Sequence, residues 1–271
     1  MIPQRYNGKL VRNGIATEVA DCLATEIPLS IAVNYEPFTV TMCTPGKEIE
    51  LARGLLFTEG IYRDVNKYFG ISFARQDEGL LVNVELPKDK ILKQFSGSRN
   101  VASVSSCGMC GKTEFECTTT AIDVTTKPVL EWFVIEQMFT AMRQHQQAFD
   151  ESGGTHAAAA FTSNGELLDV QEDIGRHNAV DKVIGSLLLQ NSLHKATCLT
   201  VSGRISYEIV NKVLAAGIPF LASVSAPSTM AVDIAQRSGL TLLAFCRGDK
   251  FTAYTYPESI GSKVQETETV S

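Results

Sequence analysis

The sequence predicts an α/β sandwich preceded by a smaller α+β unit. Three observations carry that reading. Beyond about residue 128, short apolar runs and amphipathic stretches alternate as strand–helix–strand–helix–strand, the order of parallel strands joined by crossover helices. Before it, period-two and helical patterns mix without such regularity. The chain has 271 residues, 44% of them apolar, enough for a substantial core in one large domain or two modest ones. A Thr/Lys/Pro stretch at 118–128 marks the boundary, giving units of residues 1–127 and 128–271.

In the first unit, Pro28 to Cys43 reads as two strands with a turn near Asn34–Pro37. Ile49, Ala52, Leu55 and Leu56 sit at helical spacing, and Gly60 closes that helix. Gly79 to Leu86 alternates as a strand. Phe95 to Lys112 (FSGSRNVASVSSCGMCGK) is Gly/Ser-rich and reads as a long loop. In the second unit, Val134, Met138, Ala141, His145 and Phe149 predict one long helix that includes Trp132. Ala157–Phe161 and Leu167–Val170 read as strands around an Asn164-Gly165 turn. Val180, Val183, Ile184, Leu187 and Leu188 form a helix stripe. Strands follow at Cys198–Val201, Phe220–Val224 and Leu242–Phe245, with helices at Ile205–Ala216 and Thr229–Ser238. Phe251 to Thr255 adds an edge strand.

Composition excludes several function classes. With 24 Lys+Arg against 30 Asp+Glu the formal charge is −6, which argues against a general nucleic-acid binder. Seven cysteines, an odd number, suit a reducing cytoplasm better than a disulfide-paired secreted scaffold. The start MIPQRYNGKL has no apolar signal region, and no run approaches the ~18 apolar residues of a membrane span. The expectation is a cytoplasmic protein with no membrane and no nucleic-acid partner.

Parallel α/β sheets bind ligands outside the carboxyl ends of their strands. Those ends read Ser202-Gly203-Arg204, Ser225-Ala226-Pro227-Ser228-Thr229 and Cys246-Arg247-Gly248-Asp249-Lys250. Together they offer hydroxyls, glycines, two helix N-termini and three cations along one rim, which suits a phosphate or another anion. Taken singly, each tip reads better as a helix cap or turn, and only the three in register bring the anion reading level with it. Asp173 is placed to cap the following helix, with Arg176 and His177 in its first turn, either solvated or facing an anion. His156 opens a strand and reads as a half-buried hydrogen-bonded histidine. No GxxxxGK[ST] or GxGxxG motif is present.

The pair Cys107-Gly108-Met109-Cys110 is the sharpest feature. Two thiols at this spacing can share a metal, form a redox disulfide or relay sulfur. A zinc site needs four ligands, and only Cys117 offers itself as a third. Flanking glycines suit a thiolate that travels between partners and carries sulfur as a persulfide, and Lys112 favours the thiolate. A zinc- or redox-active interaction module is the alternative. Cys22, Cys43, Cys198 and Cys246 read as buried core residues.

The segments SCGMCG (106–111), THAAA (155–159), EDIGRHNAVDK (172–182), 202–235 and GLTLLAFCRGDKFTAYT (239–255), in that order, resemble the FdhD family of sulfur carrier proteins required for formate dehydrogenase activity. The resemblance implies a cytidine-deaminase-like α/β sandwich and a homodimer. It implies a sulfurtransferase that accepts persulfide sulfur from a cysteine desulfurase. The sulfur passes to the bis-guanine-dinucleotide molybdenum cofactor, destined for formate dehydrogenase. By the same resemblance Cys107 carries the persulfide with Cys110 as its partner. The cofactor-binding segment falls on Phe245, Cys246, Arg247, Gly248, Asp249 and Lys250. Many members carry Thr-Gly before the pair, where this chain has Ser105-Ser106. Deaminase chemistry is not implied: His156-Ala157-Ala158 lacks the glutamate, and Ser202-Gly203-Arg204 the cysteines, of a zinc deaminase.

Overall fold

A computed structural model of the chain describes residues 4–65, 70–77, 79–92 and 121–261. The chain opens with an antiparallel hairpin, β1 (Gln4–Arg12) and β2 (Ile15–Leu23). Its turn is Asn13-Gly14, both at positive φ, the pairing that a two-residue primed turn requires. Next come β3 (Ile27–Val33), β4 (Glu36–Cys43), α1 (Glu48–Thr58), β5 (Gly70–Gln76) and β6 (Gly79–Glu85). These strands form a four-stranded sheet in the order β4-β3-β6-β5. Leu29, Ile31 and Val33, alternating along β3, face Leu51 and Leu56 of α1 in a buried cluster.

The second part begins with the short β7 (Leu130–Glu131), then α2 (Trp132–Gln144) and α3 (Gln147–Ser152). The hairpin β8 (His156–Phe161) and β9 (Leu167–Asp173) leads into α4 (Arg176–Leu189). Alternation follows: β10 (Cys198–Val201), α5 (Tyr207–Ala215), β11 (Phe220–Ser223), α6 (Thr229–Arg237), β12 (Thr241–Arg247) and β13 (Lys250–Ala253). A short β14 (Ile260–Gly261) pairs with β7. The six-stranded sheet runs β13-β12-β11-β10-β8-β9. β10, β11 and β12 are parallel, as the strand–helix alternation predicts, and β8, β9 and β13 run antiparallel to their neighbours.

Both faces of this sheet are covered, so its central strands are apolar throughout. Ala158, Ala160, Leu199, Val201, Leu221 and Leu242 face α4, α5 and α6. Ala157, Ala159, Phe161, Cys198, Phe220 and Leu243 face α2. The two units meet where α1 crosses α4. A Cβ on Gly54 would lie 1.8 Å from the Asp181 carbonyl oxygen, and one on Gly185 would lie 1.8 Å from that of Glu50. Only glycine permits two helix backbones to approach so closely. Beside the crossing, Lys212 Nζ lies 2.7 and 2.9 Å from the Asp181 carboxylate oxygens, and Thr58 Oγ1 donates to Asp181 at 2.8 Å.

The structure departs from the sequence expectation in three places. The long helix through Phe149 breaks at His145, so Val134, Ile135, Met138 and Met142 form the buried face instead. Glu172 provides the reason: its carboxylate accepts from the amides of Ala148 and Phe149, the free donors of a new helix start. Asp173 does not cap α4; Gly175 holds the cap position. Asp173 is instead fully buried, 2.7 Å from Lys182 Nζ, and accepts from the amides of Thr44 and Gly175 and from Asn178 Nδ2. Cys22 is half-buried rather than core, and lines a cavity of about 520 Å³ beside Lys182 and Thr44. Cys43, Cys198 and Cys246 are buried as expected.

Candidate functional site

The topology brings six strand ends to one rim, the start of β13 at Lys250 among them. β10, β11 and β12 end there because they are parallel. β8 starts there because it runs antiparallel to β10, so Ser202 next to Val201 meets the start of β8: its Oγ accepts from the Ala157 amide at 2.9 Å and lies 3.3 Å from His156 Nδ1. β9 ends there in Asp173, opposite His156. Arg176 and His177, the first residues of α4, stand beside this point. A Cβ on Gly203 would lie 3.3 Å from both Arg176 Cβ and His156 Nδ1, so the backbone passes tightly between the two side chains. His177 Nε2 is 3.2 Å from Glu208 Oε2 and 3.3 Å from Ser206 Oγ, which gives this imidazole a carboxylate partner across the helix starts.

A cavity of about 730 Å³ opens between the rim and the α2–α3 wall, a size typical of small-molecule sites. Phe139, Met142, Gln146 and Phe149 line it from the helices. Gly153, Gly154, Thr155 and His156 line it from the segment entering β8. Ser202, Val224, Cys246, Arg247, Gly248, Lys250 and Phe251 line it from the rim. Arg247 and Lys250 are exposed, and among the described residues neither forms an ion pair. Arg143 also lines the cavity but pairs with Asp150.

Electrostatics separates the groups here by role. Burial, then the Arg176 guanidinium, holds the His156 imidazole below its ordinary value, so it is neutral near pH 7. Burial pushes the Cys246 thiol up to about 12, and does the same to Cys43; Cys198 is raised as well. A sulfur nucleophile works as a thiolate. These three thiols stay protonated at physiological pH and pack as apolar side chains.

The residues singled out in the sequence distribute unevenly. Cys107 and Cys110, with Cys117, lie outside the described residues. Of the β12–β13 segment, Cys246, Arg247, Gly248 and Lys250 line the cavity. Phe245 and Asp249 are exposed and do not line it. Of the other two tips, Ser202 lines the cavity and Arg204 and Ser225–Thr229 do not. The α2–α3 wall was not visible in the sequence. Its one local sign is Gly153-Gly154, where a Cβ on Gly154 would lie 2.9 Å from Ala24 Cβ.

A family model for the FdhD/NarQ family matches residues 24–261. The chain belongs to the FdhD/NarQ family. Within it, the sulfur carrier protein FdhD of Streptomyces avermitilis is 41% identical over 255 residues, covering 90% of each chain. That of Mycolicibacterium paratuberculosis is 42% identical over 261 residues, covering 92% of this chain and 95% of its own. The archaeal FdhD of Sulfolobus acidocaldarius is 40% identical over 251 residues, covering 92% of this chain and 95% of its own. This FdhD/NarQ chain also shares its fold with the crystal structure of a candidate formate dehydrogenase accessory protein from Desulfotalea psychrophila. The TM-score is 0.72 at 24% identity, over 95% of this chain and 99% of that one. Among the described residues of the FdhD/NarQ chain, no helix is long and apolar enough to cross a membrane.

Proposed function

We propose that the protein accepts sulfur as a persulfide on Cys107 and delivers it to a guanine-dinucleotide molybdenum cofactor bound along the rim. The observation that carries this reading is the cavity at the strand ends, where Arg247 and Lys250 stand beside aromatic walls. Pyrophosphates need cations and close backbone approach, and Gly248 and Gly153-Gly154 leave that backbone bare. Planar rings need aromatic faces, and Phe139, Phe149 and Phe251 supply them. The cofactor is the protein's substrate, received, sulfurated and passed on.

The thiol inventory supports the choice of Cys107. Cys43, Cys198 and Cys246 are kept protonated by burial, which leaves Cys22, Cys107, Cys110 and Cys117, and among these the family resemblance points to the glycine-flanked pair. The Cys107 thiolate attacks the outer sulfur of a persulfide on a cysteine desulfurase. The donor S–S bond breaks, a new S–S bond forms on Cys107, and the donor cysteine leaves as a thiolate. Cys110 assists or resolves the persulfide. The recipient enzyme is formate dehydrogenase, the protein is cytoplasmic, and it works as a homodimer; these points follow from the family resemblance.

Incubation with a cysteine desulfurase and radiolabelled cysteine tests the reading. The label is expected on wild-type protein, to be released by a thiol reductant, and to be absent from Cys107→Ala. Equal labelling of Cys107→Ala would remove that residue from the relay. Stoichiometric zinc or iron, lost on Cys117→Ser, would favour the metal-binding alternative.

A further inference from the structure

The β1–β2 hairpin forms a two-stranded sheet of its own, unpaired with the other sheets. Two strands alone are marginally stable in water and need a packed face. The register shows what the faces offer, because directly paired residues share a face and alternate along each strand. On one face Gly8 opposite Val19 forms the middle row. Tyr6 with Asp21 makes the row toward the base, and Leu10 with Thr17 the row toward the tip. Leu23 closes the base end, and Ile15 with Arg12 the tip. Every row thus carries an apolar side chain. Val19 is half-buried, but Leu10 is 47% exposed, Leu23 49% and Ile15 69%. The opposite face is more polar, with Arg5, Asn7 and the Lys9–Glu18 ion pair at 3.5 Å. A continuous apolar row of this kind on an exposed arm marks a surface that is covered in the working molecule.

We infer that this face is where two copies of the chain meet, arm on arm and antiparallel, about a two-fold axis at the Gly8–Val19 row. A two-fold contact is isologous, so the surface must complement itself. The pattern of rows does so. Turned end for end, it lays Leu23 over the partner's Ile15, Tyr6 over the partner's Leu10 and Val19 over the partner's Val19. Gly8 meets the partner's Gly8 with no side chain between them, which lets the arms approach. Arg12 comes within one row of the partner's Asp21 on each side of the axis, within reach of a long side chain. The arm carries Arg5, Lys9 and Arg12 against Glu18 and Asp21, a near balance in a chain of net charge −6, so two copies repel each other less here than through their acidic bodies. A different partner would require no such symmetry about the middle row. The inference rests on the homodimer reading and names the surface that the dimer uses.

Sedimentation velocity over a dilution series tests it, on the full chain as wild type, Val19→Arg, Asp21→Arg and the charge swap Asp21→Arg with Arg12→Asp, each checked for native circular dichroism. Wild type is expected to be a dimer. Val19→Arg sets like charges on the axis and is expected to raise the dissociation constant about a hundredfold. Asp21→Arg is expected to raise it about tenfold, and the charge swap to bring it back to the wild-type value, a rescue that a merely damaged arm would not give. A dimer that survives Val19→Arg, or a charge swap no tighter than Asp21→Arg, would overturn the arm-on-arm contact and leave the homodimer reading standing. A monomeric wild type would overturn both.

Discussion

His156 meets burial and neighbouring cations on one imidazole, and its folded pKa lies below the ordinary value as a result. In the unfolded chain it titrates near about 6.5. Below that pH the unfolded state binds more protons than the folded one, so stability is lost as pH falls toward the folded value. Denaturant titrations at about pH 7.5 and about pH 5.5 are expected to show a smaller acid loss for His156→Gln than for wild type; equal losses would contradict the assignment. Arg247 and Lys250 allow a second test at this scale. Removing both, as Arg247→Ala with Lys250→Ala, is expected to weaken guanine-nucleotide binding by about 1–3 kcal/mol, the range for charge-assisted hydrogen bonds. Unchanged affinity by calorimetry would take the rim out of the site.

Among the elements, the α1–α4 crossing ties the first unit to the second. Gly54→Ala would place a methyl carbon 1.8 Å from the Asp181 carbonyl oxygen, which neither backbone can yield without parting the helices. Overpacking of this kind is expected to cost about 3 kcal/mol and to lower the melting temperature, checked by thermal unfolding. An unchanged melting temperature would mean that the helices do not cross there. Elements with strong local patterns were legible in the sequence: the β3–β4 pair, α1 with its Gly60 stop, the α4 stripe, and the parallel strands β10, β11 and β12. Two were not. The β1–β2 hairpin is exposed along nearly its whole length and so lacks a buried face, although its Asn13-Gly14 turn was a usable sign. The break between α2 and α3 depends on the carboxylate of Glu172, 23 residues beyond Phe149 in the chain. No local pattern encodes such a contact.

For the whole molecule, the strand order decides where chemistry can occur. Three strand tips in one parallel sheet were legible as a shared rim, and the structure gathers Ser202, Val224 and most of the Cys246–Lys250 segment around one cavity. The other wall arises from tertiary packing of α2 and α3, as does the approach of His156 to Ser202 across antiparallel strands. The net charge of −6 belongs to the chain as a whole, while Arg247 and Lys250 stand exposed at the rim. Sulfur carriage by Cys107 is tested most directly by formate dehydrogenase activity. In cells that lack their own sulfur carrier, the wild-type chain is expected to restore that activity and Cys107→Ala, at equal abundance, to leave it absent. Full activity with Cys107→Ala would contradict sulfur carriage by that residue.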